Sequence, residues 1–209
     1  MELQRFNRAL ISALLVSGAL GVASQAHALS LTPFAAPDSL TTWASTSLNN
    51  LQQSEVEALV GVSPLGLVYK QNEGGVESGN AMGYYTTTFS YETTGDASGA
   101  TITWDGPMLI SCGDCFLIVK DGNHDANNPP PWPQYIYDIS GWNGTDTITL
   151  SGFWPGPGSI SNVAIWNNYD GGSGGGTITP VPEADTYAML LAGLGLVGFA
   201  ARRRLSKTV

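Results

Sequence analysis

Hydrophobic positions along this chain fall into four successive patterns. The first, Ala9 to Ala23, is almost continuously apolar. The second is short and helical. Ser54-Glu-Val-Glu57 fits the capping-box spacing, and Val56, Leu59 and Val60 form one apolar face. It predicts a minor helix over 55–60, with a second over Leu40 to Leu51 before it. After Pro64 the period becomes two. Tyr85, Thr87, Phe89 and Tyr91 share a face, and Ile102 and Trp104 alternate with Thr101 and Thr103. Phe116, Ile118 and Lys120 alternate with Leu117 and Val119, and Tyr135, Tyr137 and Ile139 follow. Asp146, Ile148 and Leu150 alternate with three threonines, and Ile160, Ala164 and Trp166 oppose Val163 and Ile165. Gly, Pro, Asn and Asp punctuate these runs. Six to eight short strands so spaced predict an all-β body, a β-sandwich or jelly roll. No internal repeat supports a solenoid. The fourth pattern, Tyr187 to Ala201, is again apolar and carries no charge.

The two apolar ends differ from the body in purpose. Arg5 and Arg8 precede the first run, and Ala26-His27-Ala28 closes it with the small residues a signal peptidase accepts. Residues 1–28 therefore read as an N-terminal signal helix cleaved after Ala28, with Leu29 as the mature N-terminus; the alternative is an uncleaved anchor. As a helix, 187–201 would be about 22 Å long, short of the ~30 Å hydrocarbon core. It is apolar all round, and Gly193, Gly195 and Gly198 weaken it as a core helix. Arg202, Arg203 and Arg204 would hold its far end in the cytoplasm. A short transmembrane tail at the inner membrane is expected. Before it, Asp170-Gly-Gly-Ser-Gly-Gly-Gly reads as a flexible linker over 169–180, which leaves a β-rich extracellular domain at 29–168.

Charge sharpens this division. Between Leu29 and Pro182 only Lys70 and Lys120 stand against fourteen acidic residues, a net charge of −12. Such a body repels phosphate backbones, which argues against nucleic acid as a partner.

Pro182-Glu183-Ala184, the apolar run 187–201 and Arg202 to Arg204 together resemble the PEP-CTERM sorting tail of Gram-negative bacteria. The third position is Ala184 where the family name has Pro. The resemblance implies recognition by exosortase, a transpeptidase-like enzyme of the inner membrane. It implies a transient anchor at 181–209, then delivery to the cell surface or beyond. It also implies association with exopolysaccharide, biofilm or floc. Phe116 to Asn123, Tyr135 to Ser140, Trp142 to Thr145 and Ser151 to Pro155 resemble a β-rich domain common in such proteins. That domain brings no catalytic residues with it.

Candidate chemistry in the body is sparse. Cys112-Gly-Asp-Cys115 sits between two expected strands, and the exported compartment favours a disulfide there; free thiols or a metal are the alternatives. Asp121, Asn123 and Asp125 alternate as at the start of a calcium loop. Ala126 and Trp132 stand where an EF-hand needs Gly and Glu, so the choice is a looser calcium site or a solvated turn. Trp132, in a Pro-rich loop, with Tyr135 and Trp142, could stack on sugars; core packing is the competing reading. Asn143-Gly-Thr145 matches a glycosylation sequon and is equally a hairpin turn. His124 is the only histidine beyond the signal, and no Gly-x-Ser-x-Gly elbow is present, so catalysis is not expected. A carbohydrate-binding module and a glycan hydrolase using a pair of acids are the rival functions.

Overall fold

The computed structural model describes residues 28–91, 96–122, 132–154, 158–168, 178–180 and 190–197. The expected signal helix lies outside these residues, apart from Ala28.

The body is mostly β-sheet, with twelve strands and one short helix among its described residues. A four-stranded sheet runs in the order β1 (Leu29–Leu31), β10 (Ile148–Leu150), β6 (Ala97–Trp104), β5 (Tyr85–Tyr91). A six-stranded sheet runs β2 (Thr42–Ser45), β9 (Gln134–Asp138), β8 (Cys115–Asp121), β11 (Ile160–Asn168), β3 (Leu65–Asn72), β4 (Glu77–Ser78). A third ladder pairs β12 (Ile178–Pro180) with β7 (Met108–Ile110). One core cluster joins Tyr85, Ile102 and Ile148 of the smaller sheet to Leu117, Val119, Tyr137 and Ile165 of the larger. The two sheets therefore share one core, consistent with the all-β expectation, and no barrel closes among the described residues.

The period-two pattern explains the larger sheet. In β8, Leu117 and Val119 enter the inter-sheet core, while Phe116 and Ile118 face the opposite way. Those outward residues are covered by the helix α1 (Gln53–Val60) and the chain before it, through Leu51, Val56, Leu59 and Trp43. The sheet is thus buried on both faces along much of β8, which is why that strand reads as a continuous apolar run.

Two local expectations are corrected. Leu40 to Leu51 contains no helix: Thr42–Ser45 is strand β2, antiparallel to β9 with Trp43 opposite Ile136. Trp43 also meets Phe116 edge-on, with ring centroids 5.6 Å apart. Sheet pairing and this aromatic contact outweigh a weak helical pattern. The helix also starts earlier than its Ser54 signal. Gln52 is the N-cap, and its backbone N–H donates to Glu55 at 2.6 Å. Glu57 instead accepts from the Leu65 backbone N–H at 2.9 Å, from Gln53 at 2.8 Å and from Ser63 at 3.0 Å. Its carboxylate ties α1 to the start of β3. The Leu65 bond, then the Gln53 bond, hold its pKa below the ordinary value.

The body also extends further than 29–168. Residues 178–180, expected in the linker, form β12, with Ile178 opposite Ile110 and Pro180 opposite Met108.

Candidate functional site

The predicted sites divide sharply once placed in the fold. Cys112 and Cys115 close the turn between β7 and β8 as a disulfide, with Cα atoms 5.3 Å apart. Asp121 ends β8 and is buried; one of its oxygens accepts from the Ser159 backbone N–H at 3.1 Å. The same strand end is stitched by Asp121 N–H to the Pro133 carbonyl and Gly122 N–H to the Ser159 carbonyl. Asp121 thus organises the chain around β11. Asn123, His124 and Asp125 lie outside the described residues, so the calcium loop is not placed. Among the described residues, no three His, Cys, Asp or Glu side chains group as metal ligands.

The sugar-stacking candidates are corrected in part. Tyr135 is 6 % exposed and meets Phe34, Phe153 and Trp154 with centroids 4.8, 5.6 and 5.4 Å away. Trp142 is also buried; its indole N–H donates to the Asp146 carbonyl at 2.8 Å, and its ring lies 5.8 Å from Tyr85. Rings whose faces are spent on neighbouring rings offer no platform to a sugar. Trp132 is half-buried against the same core, and its carbonyl accepts from the Trp154 indole at 3.3 Å. Asn143 forms an Asx turn, its side-chain oxygen accepting from the backbone N–H groups of Thr145 and Asp146 at 2.9 Å each. Gly144 there has φ 81°, and its carbonyl accepts the Tyr85 hydroxyl at 2.6 Å. That hydroxyl also accepts from Ile110 N–H at 2.8 Å. Burial pushes the Tyr85 pKa up to about 12, so it stays a neutral donor that joins the smaller sheet to the 144 turn.

A groove not anticipated from sequence opens on the outer face of the larger sheet, beside the ground covered by α1. It holds about 220 Å³ and is lined by Asn50, Lys70, Ile118, Gln134, Asn162 and Trp166, among others. Gln134 is buried and donates to the carbonyls of Ser47 and Asn49 at 2.8 Å each. Asn162 donates to the Asn50 side chain at 3.2 Å. These bonds fix the 47–50 loop as one wall. The sequence carries the residue types but not the register that gathers them.

At the other end of the chain, Ala28 is exposed and Leu29 opens β1, its N–H donating to the Thr147 carbonyl at 2.9 Å. Ala26 lies outside the described residues, as do Pro182, Glu183, Ala184, Arg202, Arg203 and Arg204. The expected tail helix is described over residues 190–197, and every one of these is exposed. Leu190, Leu191, Leu194, Leu196 and Val197 stand 60–70 % open. No described helix is long and apolar enough to cross a membrane, so the span 187–201 is not shown at full length. A family model for the PEP-CTERM protein-sorting motif matches residues 180–204. The tail is a PEP-CTERM sorting motif. It begins at the last residue of β12, takes in Pro182-Glu183 and the exposed helix, and ends on the arginines. The PEP-CTERM motif marks an exported protein with a membrane-anchored sorting signal, processed by an exosortase-type membrane enzyme. Within the β-rich body the match takes in Pro180 alone. No curated protein and no solved structure matches the chain.

Proposed function

We propose that the mature chain is a surface or extracellular-matrix protein that contributes to exopolysaccharide-associated biofilm or floc. Signal removal after Ala28 and exosortase processing near Pro182-Glu183 deliver the β-rich body outside the cell. The PEP-CTERM motif at 180–204 is the observation that carries this reading. An acidic body with a disulfide suits an oxidising exterior. The role assigned is structural association, with no reaction and no cofactor.

Intact-mass analysis of membrane and extracellular fractions from the native host tests it. A species beginning at Leu29 and ending near Pro182 is expected outside the cell. A species found only in the membrane and ending at Val209 would make the tail a lasting anchor and sink the delivery reading.

A further inference from the structure

The body has two lysines and no arginine between Leu29 and Pro182, against fourteen acidic side chains. Scattered at random, each lysine would stand among carboxylates. Instead the fold sets the two together. Lys120 on β8 lies opposite Asn162 of β11 and Gln134 of β9. Lys70 on β3 lies opposite Ala164 of β11. Ala164 is in turn opposite Ile118, two residues from Lys120. All share the outer face, because directly paired residues and i, i+2 neighbours do.

The lysines thus flank β11 from two strands apart and two residues out of step, a backbone separation of roughly 12 Å that long side chains can close around one anion. Lys70 lines the groove, and both Lys120 partners line it too. Each ammonium is partly desolvated, and Lys120 adds its charge to that felt by Lys70. Lys120 donates to the Asp121 carbonyl at 2.9 Å, which holds it in place, and the Asp121 carboxylate is the acid acting on it. Two like charges side by side in an acidic protein are an arrangement that an incoming anion relieves. Between them the surface is amide and apolar: Asn50, Gln134 and Asn162 over Ile118 and Ala164. Amides suit hydroxyl groups, and the apolar floor suits a sugar ring's C–H face.

We propose that this groove binds an acidic polysaccharide, with a uronate carboxylate between Lys70 and Lys120 and sugar hydroxyls on Asn50 and Asn162. The assignment rests on the exopolysaccharide reading and gives it a site and a charge class. The net charge of the body does not forbid it: at physiological salt the screening length is about 8 Å, so an anion in the groove feels chiefly its neighbours.

The test uses the full chain in nonionic detergent at 0.15 M salt, with polygalacturonate, dextran and dextran sulfate as probes in affinity electrophoresis. Polygalacturonate should retard the wild type and dextran should not. Lys70→Gln with Lys120→Gln should weaken that binding by about tenfold or more, while Lys70→Arg with Lys120→Arg retains most of it. An unchanged melting temperature in the Gln pair keeps loss of fold out of the comparison. Equal retardation of wild type and Gln pair, equal binding of neutral dextran, binding of the sulfated probe alone, or no binding at all would each overturn the proposal. None of these outcomes bears on where the host delivers the protein, so the sorting reading stands or falls separately.

Discussion

Leu117 in β8 and Leu194 in the tail helix are the same residue in opposite circumstances. Leu117 is fully buried between two sheets, whereas Leu194 is 61 % exposed. Around Leu117 the chain supplies the partners: Val119 and Ile165 from its own sheet, Ile102 and Ile148 from the facing one. Around Leu194 the described chain supplies neither a groove nor a second helix, and its neighbours Leu190, Leu191 and Val197 are equally open. An apolar surface of this kind calls for another medium. The PEP-CTERM motif names that medium as a membrane. The body buries most of its large hydrophobic residues in its own core and leaves scattered ones such as Leu40, Val76 and Met82 open, whereas the described tail helix exposes all of its large hydrophobic residues together.

The sharpest way to break this comparison is a matched pair of truncations. Leu117→Ala should cost about 3–4 kcal/mol of folding free energy, as buried leucines generally do, while Leu194→Ala should leave the body's denaturant midpoint unmoved. A comparable loss in both would mean that the tail packs on the body. Next in size, Tyr85→Phe removes the hydroxyl shared by Ile110 N–H and the Gly144 carbonyl and leaves both buried groups unpaired. A loss of about 2 kcal/mol in urea titration is expected; a neutral result would mean that water replaces the hydroxyl. The smallest effect concerns the outer layer. The Leu65 backbone N–H, then Gln53, hold the Glu57 carboxyl below its ordinary value of 4.5. The folded state therefore takes up a proton less readily than the unfolded chain. The stability Glu57 supplies is full above about pH 4.5 and fades as pH falls through its folded value. Thermal melts of wild type and Glu57→Gln should differ at pH 7 and converge toward pH 3.

The same contrast governs what could be read from sequence. The tail was legible because its signal is local: a dipeptide, an apolar run and three arginines in order. Strands β8, β9 and β11 were legible because their apolar and aromatic runs are long and rich in β-formers. β3, Leu65–Asn72, was not, since Gly66, Lys70, Gln71 and Asn72 break up its apolar run and its pairing with β11 shifts register at Ile165/Trp166, which breaks the period. Tyr135 and Trp142 looked like a sugar platform because alternation shows that a residue has a face, not which face meets the second sheet. The pairing of Lys120 with the groove residue Lys70 was hidden for a related reason. Fifty residues separate the two lysines in sequence, and only the pairing of β8 and β3 on either side of β11 makes them neighbours.

Strand β12 has a consequence for how the finished protein is hung. Its last residue, Pro180, is held opposite Met108, and only Val181 stands between it and Pro182-Glu183. Processing there, as proposed, would leave a stub of about two residues, at most ~7 Å of extended chain. A Gly-rich arm would let the body drift like a float on a line. With β12 docked, an end cut there would leave directly from the β7 edge, and the body would sit on any attachment made through it like a leaf on a short stalk, its rim fixed and its orientation restricted.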